Sequence, residues 1–348
     1  MDLFELTRKL IDTPSVTGEE KAVGEFLSDQ LESLGYKVQH QEVEIDRFNI
    51  LATTAARPRV VLSTHLDTVP PFIASSENEE LIFGRGACDA KGIIAAQITA
   101  AEHLRAEGLE EVGLLFTVDE EAGSEGARVA NTSPVASHCQ YLINGEPTDN
   151  KLASATKGSL RMSVKTTGRS AHSAYPEQGD SAIEKLLDVL NDIRQCEWPG
   201  DALLGETTCN IGVISGGTRA NVIPAEAAAV LQLRLVSDAA AVKSILETVI
   251  AARAEVEYLS VHDPVHLFQL TGFEQCVVRF TTDIPYLSHW GQPLLLGPGS
   301  ILKAHTDEEC VSKRELSEAV TLYVDLARRL LATQATDQLL PIAEGAPR

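Results

Sequence analysis

The chain has 348 residues, 44% of them apolar and 5% aromatic, more than one hydrophobic core usually serves, so two domains are expected. A formal charge of −21 argues against nucleic acid or an anionic membrane surface as partner, because holding phosphate needs a positive field. No stretch approaches the roughly 18 consecutive apolar residues of a membrane span. Residues 1–9 lack the order of a signal peptide, and the six cysteines include no Cys-x-x-Cys pair, which leaves a cytoplasmic protein with reduced, structural thiols as the expectation.

Thr17 followed by Glu20 has the form of a capping box, and Val23, Phe26, Leu27, Leu31 and Leu34 recur at helical spacing up to Gly35, predicting a helix over 18–34. Residues 36–43, 60–63, 113–118 and 141–143 are short and rich in β-formers, with an alanine-rich helical run over 92–105 between two of them. Strands alternating with helices predict an α/β layer with a largely parallel sheet. Past Lys151 the order becomes strand 160–166, helix 181–194, strands 208–214 and 227–235, helix 239–252 and strand 256–261. That β-α-β-β-α-β order is the ferredoxin-like split unit, able to stand as a domain of its own. A further apolar strand at 293–296 and a helical stripe from Leu316 to Leu331 need a sheet to pack on, and the first domain offers one. The second domain therefore reads as an insertion: 1–155 and 264–348 form one domain, 156–263 the other. The polar, proline-punctuated tail from about Thr333 is expected to be loosely ordered.

In open α/β sheets ligands gather beyond the carboxyl ends of strands, which gives polar residues there priority. His65 and Asp67 follow the strand at 60–63, Glu120 and Glu121 the strand at 113–118, Glu146 the strand at 141–143, and Gly297, Ser300 and His305 the strand at 293–296. Asp89 stands at the entry to the alanine-rich helix. A single histidine after a strand is ordinarily a satisfied surface or core residue; recurrence at four strand ends is what carries the reading. Imidazole and carboxylate without thiolate suit a catalytic zinc, cobalt or manganese.

His65-Leu-Asp-Thr-Val-Pro70, Gly84-Arg-Gly-Ala-Cys-Asp-Ala-Lys-Gly92, Asp119-Glu-Glu-Ala-Gly123, Gly145-Glu-Pro147 and Gly297-Pro-Gly-Ser300 with His305, in that order, resemble the di-zinc family of acetylornithine deacetylase, succinyl-diaminopimelate desuccinylase, aminoacylase and bacterial carboxypeptidases. The resemblance runs from Met1 to about Leu331. It implies a catalytic domain with an inserted lid or dimerisation domain, a homodimer formed through the insertion, and two divalent ions, zinc first, with cobalt or manganese as substitutes. It assigns Asp89 as the carboxylate bridging both metals, His65 and Glu146 as completing one, and Glu121 and His305 as completing the other. Asp67 would orient the His65 imidazole from behind, and Glu120 would be the general base. Adjacent side chains diverge, so Glu121 can face metal while Glu120 faces water.

The inserted domain carries Gly168-Arg-Ser-Ala-His172-Ser-Ala-Tyr-Pro176, whose histidine in the family donates to the oxyanion, often from the partner subunit. Asn221, within Gly216-Gly-Thr-Arg-Ala-Asn221, matches a family position that meets substrate, and Arg234 is a further candidate clamp for a substrate carboxylate. Many relatives carry proline and aspartate after the late histidine, where this chain reads His305-Thr-Asp-Glu-Glu309, with Glu309 keeping its four-residue spacing. Cys88 and Cys310 lie beside predicted ligands, and small buried residues is the reading given to them. The expected reaction is hydrolysis of the amide bond of an N-acyl amino acid, with acetylornithine-type substrates first because Gly297-Pro-Gly-Ser-Ile301 resembles that branch most, Gly297 and Ser300 being candidate substrate contacts, and a dipeptidase, carboxypeptidase or desuccinylase as the alternative. A catalytically dead homologue that binds a metabolite is the reading from another class, and an intact set of ligands and base argues against it.

Overall fold

The computed structural model describes residues 2–54 and 57–333, so all but the first residue of the expected loose tail lies outside the described residues. The chain forms two compact units. One holds Met1–Ala153, Leu267–Cys276 and the chain from Thr282 onward; the other holds Ser154–His266 and Val277–Thr281, against the 156–263 read from the sequence.

The first unit contains helices α1 (Leu3–Asp12) and α2 (Lys21–Ser33) and strands β1 (Lys37–Glu44), β2 (Arg47–Thr53) and β3 (Val60–His65). Helix α3 (Lys91–Ala106), strands β4 (Val112–Thr117) and β5 (Tyr141–Asn144), and, after the second unit, β10 (Gln292–Leu295) and α6 (Lys313–Ala332) complete its main elements. Its six-stranded sheet runs in the order β1-β2-β4-β3-β5-β10. Strands β4, β3, β5 and β10 are mutually parallel, while β1 and β2 add an antiparallel edge. Every residue of β3, β4 and β5 is buried, as strands covered on both faces must be. Val60 and Leu62 face the large core shared with α1, α2, α3 and α6, and Val61 faces the smaller core under Trp290 and Leu287.

The capping box expected at Thr17 and Glu20 does not form. Glu20 occupies the cap position without a side-chain cap bond, and the helix begins at Lys21. Buried charges took both side chains: Thr17 Oγ1 donates to Asp67 Oδ2 at 2.9 Å, and Glu20 accepts from Arg47 Nε and Nη2, both at 2.8 Å. An unpaired buried carboxylate or guanidinium costs more than an uncapped helix end.

The second unit contains β6 (Gly158–Thr167), α4 (Ala182–Arg194), β7 (Thr208–Gly216), β8 (Glu226–Leu235), α5 (Ala239–Ile250) and β9 (Glu255–His262). Its sheet runs β7-β8-β6-β9 with all neighbours antiparallel. Residues 227, 229, 231, 233 and 235 of β8 alternate inward and pack with Leu186, Val189, Ile193, Val242 and Leu246 of the two helices. One edge of the sheet is β7, where Val213 and Ile214 are 56% and 57% exposed; the other is β9. Among the described residues no helix is long and apolar enough to cross a membrane.

Candidate metal centre and active site

Four parallel strands end on one edge of the first sheet, and that is where the chemistry-bearing side chains gather. β3 lies between β4 and β5, so the chain leaves its two sides in opposite directions and opens a crevice at its carboxyl end. His65, the last residue of β3, is 1% exposed and stands in that crevice. Its Nδ1 donates to the main-chain oxygen of Asp67 at 2.9 Å, which fixes the tautomer and turns Nε2 toward Asp89 Oδ1, 2.9 Å away. Burial disfavours a charged imidazole, but Asp67, Asp89 and Glu146 outweigh it and hold its pKa well above the ordinary histidine value.

The Asp67 carboxylate stands 3.6 Å from His65 Nδ1, on the side of the imidazole away from Asp89, and holds further partners as well. Oδ1 accepts the Glu120 N–H and Oδ2 the Glu121 N–H, each at 3.1 Å, along with the Thr17 hydroxyl. Burial opposes this charge, but those donors and His65 hold it ionised below the ordinary range. The side chain therefore pins the turn that presents both glutamates while its charge faces the imidazole that the Asp67 carbonyl also holds.

Asp89 is 5% exposed, with Oδ1 toward His65 and Oδ2 3.4 Å from His305 Nε2. Burial would raise its pKa, and hydrogen bonds to His305 and His65 reverse that to well below the ordinary carboxylate range. His305, at a left-handed φ of 64°, places Nε2 2.8 Å from Glu121 Oε1. Its hydrogen bonds to Asp89 and Glu121 push its pKa up to about 10. Donor atoms of His65, Asp89 and Glu121 all lie within 4.8 Å of one another.

Glu146 is 4% exposed, and its Oε1 is buried with no hydrogen-bond partner. Burial raises its pKa well above the ordinary value, with His65, Asp89 and Glu121 close enough to act on it. Glu120 is half-buried, and burial, then the charge of Glu146, raises its pKa likewise. Five carboxylates thus crowd two imidazoles, an arrangement that cations would relieve. Nitrogen and oxygen donors together with the orphaned Glu146 oxygen fit divalent ions such as zinc, cobalt or manganese.

Gly297 and Ser300 were expected to meet substrate. Gly297 is buried, its N–H donating to Thr148 Oγ1 at 3.0 Å and its carbonyl accepting from Asn150 at 2.9 Å. A Cβ there would stand 2.5 Å from the main-chain oxygen of Glu146, so this glycine allows the close approach that seats Glu146 and keeps no backbone group free for a ligand. Ser300 is half-buried, and its carbonyl accepts from Lys303 at 2.9 Å. Cys88 is fully buried and burial pushes its thiol well up, while Cys310 is half-buried with its thiol raised by the same cause.

In the second unit His172 and Asn221 are exposed and share one loop pair. Ser173 N–H donates to the Asn221 carbonyl at 3.0 Å, and His172 bridges Val222. His172 Nδ1 accepts the Ala174 N–H at 3.1 Å, leaving Nε2 as the imidazole N–H of the neutral ring. Arg234 is half-buried in β8 on the face away from the helices, where burial and neighbouring Arg161 lower its pKa.

Four residues important to this arrangement carried no role in the sequence reading. Arg47 joins Glu20 to Asp119 at the start of the glutamate turn. Asp283, 2% exposed, accepts from Thr117 Oγ1 at 2.8 Å at the end of β4, and burial pushes its pKa up to about 6. Arg85 and Glu309 pair at 2.7 Å beneath the Asp89 loop. These partners lie 27 to 224 residues away, and only the four-residue spacing of Glu309 from His305 hinted at any of them.

Residues 154–259 match the peptidase dimerisation domain of the M20 family. A peptidase M20 domain-containing protein of Schizosaccharomyces pombe is 37% identical over 334 residues, covering 92% of this chain and 83% of its own length. A probable carboxypeptidase of Emericella nidulans is 37% identical over 375 residues, covering 93% of this chain and 88% of its own. Among solved structures, a tripeptidase of Staphylococcus aureus shares the fold with a TM-score of 0.79 at 20% identity, covering 95% of this chain and 98% of that one. Likeness at 20% speaks for the fold alone, but identity of 37% sustained across both units reaches further: the chain belongs to the M20 peptidase family.

Proposed function

We propose that the chain hydrolyses the amide bond preceding a free, carboxylate-bearing amino acid, as a carboxypeptidase or dipeptidase of the di-metal type. The observation that carries this is the convergence of His65, Asp89 and Glu121 donors within 4.8 Å, with Glu120 on the same turn. Asp89 would be shared between two divalent ions, zinc first, with His65 and Glu146 completing one and Glu121 and His305 the other. Bound there, they would supply Lewis acidity for the scissile carbonyl and lower the pKa of water. Glu120 takes the proton of the attacking water and delivers it to the leaving amine, a task its raised proton affinity suits. His172, with Nε2–H free of the Ala174 bond, is the donor for the oxyanion. Asn221 on the adjoining loop and Arg234 are substrate contacts in this reading.

The probable carboxypeptidase from Emericella nidulans supports a peptide substrate. A second reading, N-acyl amino acid deacylation of the acetylornithine type, is favoured by the Gly297–Ser300 segment. A panel of dipeptides, C-terminally amidated dipeptides, acetylornithine and succinyl-diaminopimelate separates the two. The expected result is turnover of dipeptides, with amidation lowering kcat/KM by about 10²-fold or more, as loss of a charged partner does. Turnover of the acylated amino acids alone would transfer the assignment to a deacylase.

The second unit supports a homodimer. Its edge strand β7 leaves backbone groups and the side chains of Val213 and Ile214 exposed, an edge suited to pairing with a second copy. Val213→Glu with Ile214→Lys is expected to yield a monomer by light scattering; a dimer that persists would place the interface elsewhere.

A further inference from the structure

Two segments that bring proposed ligands to the centre, the Asp89 loop and the His305 loop, are joined by a buried pair distant in sequence. Glu309 is 1% exposed and Arg85 2%. Glu309 Oε1 accepts main-chain N–H groups of Gly86 at 2.9 Å, Asp89 at 3.2 Å and Cys88 at 3.3 Å, so one oxygen gathers the turn that presents Asp89. Gly86 adopts a φ of 88°, which lets the turn close around that oxygen. Glu309 Oε2 accepts from Arg85 Nη1 at 2.7 Å, and the same nitrogen donates to the main-chain oxygen of Thr306, next to His305, at 3.0 Å. Arg85 Nε reaches the Pro71 carbonyl at 3.3 Å. Both oxygens of Glu309 are hydrogen-bonded inside the protein, so the pair holds the centre through the two loops.

We infer that the Arg85–Glu309 pair is a positioning crossbar that sets Asp89 against His305, so that the metal held by Asp89, Glu121 and His305 depends on it more than the metal held by Asp89, His65 and Glu146. This rests on the ligand assignment proposed above. The crossbar ties down two of the three ligands of the first ion and one of the three ligands of the second. Partners that orient ligands from behind typically govern 10–100-fold in metal affinity. A residue that merely kept the fold together would weaken both ions alike.

The test is a calorimetric titration of metal-stripped protein with zinc. Wild type should bind two ions and His305→Ala one. Glu309→Gln should raise one dissociation constant about 10–100-fold. In the His305→Ala background the same substitution should weaken the remaining ion by under about tenfold. Glu309→Gln leaves Arg85 buried without its counter-charge and can fail to fold for that reason. Arg85→Met with Glu309→Gln removes both charges and is read in the same way. Unchanged constants, or equal weakening of both ions, would overturn the inference. Two ions bound by His305→Ala would instead overturn the ligand assignment, and the crossbar's role with it.

Discussion

Glu120→Gln is expected to lower kcat by about 10²–10⁴-fold while metal content, KM and melting temperature stay close to wild type. The substitution keeps the size of the side chain and the main-chain N–H that Asp67 Oδ1 accepts, so the turn carrying Glu121 is undisturbed. What it removes is the one group on that turn assigned to receive a proton. In the folded chain burial comes first and the charge of Glu146 second in raising the proton affinity of Glu120, and Asp283 and Glu121 add to it while His65 opposes. A carboxylate in that field accepts a proton more readily than one in water and can hold it until the amine departs. Single-turnover kinetics at fixed zinc would measure the loss. A variant retaining wild-type kcat would take the base role away from Glu120.

Arg47→Ala is expected to destabilise the first unit by about 3–5 kcal/mol, an effect exposed ion pairs do not reach. Arg47 is 12% exposed at its side chain and Glu20 1%. Their contact is bidentate, and Arg47 Nη2 also donates to Asp119 Oδ1 at 2.8 Å while Nη1 reaches Glu44 at 2.9 Å. Removing the guanidinium strands the Glu20 carboxylate in the interior and frees Asp119, which sits at a left-handed φ of 71° where the glutamate turn begins. Arg47→Met with Glu20→Gln removes both charges and should lose clearly less. Urea midpoints at constant slope would read the difference. A loss below about 1 kcal/mol for Arg47→Ala would mean the network is solvated like a surface pair.

The parallel strands were legible because burial on both faces demands continuous apolar runs, and Val60–Leu62, Leu114–Phe116 and Leu294–Leu295 have them. The split β-α-β-β-α-β order of the second unit was legible through clean alternation such as Leu231, Leu233 and Leu235. Strand β2 was missed because Asn49 interrupts it; that side chain is fully buried in order to donate to the Gly126 carbonyl and accept the Val118 N–H, contacts formed only in the folded chain. Helix α1 was missed too, since residues 1–9 were read only for a signal peptide, although Asp2 caps it and Leu6, Leu10 and Ile11 form its buried face. The candidate ligands could be named because each follows a strand or opens a helix. The residues that hold them, Arg47, Arg85, Asp283 and Glu309, could not, because their meaning lies in pairings across long separations that no local pattern encodes.

The same distinction explains the second task of Asp67. Its position two residues after His65 suggested a carboxylate behind the imidazole, and one stands 3.6 Å from Nδ1, but the turn also brings the Asp67 carbonyl to Nδ1 and the carboxylate to the N–H groups of Glu120 and Glu121. Base and ligand are thereby registered against the histidine at the end of the neighbouring strand.

The central claim, a hydrolase that works through two divalent ions held by these side chains, is tested most directly by adding zinc in steps to metal-stripped protein and following amino acid released from a dipeptide. Activity is predicted to be absent at the start and to reach its plateau at two equivalents. Full activity in the stripped protein, or a plateau unrelated to metal added, would contradict it.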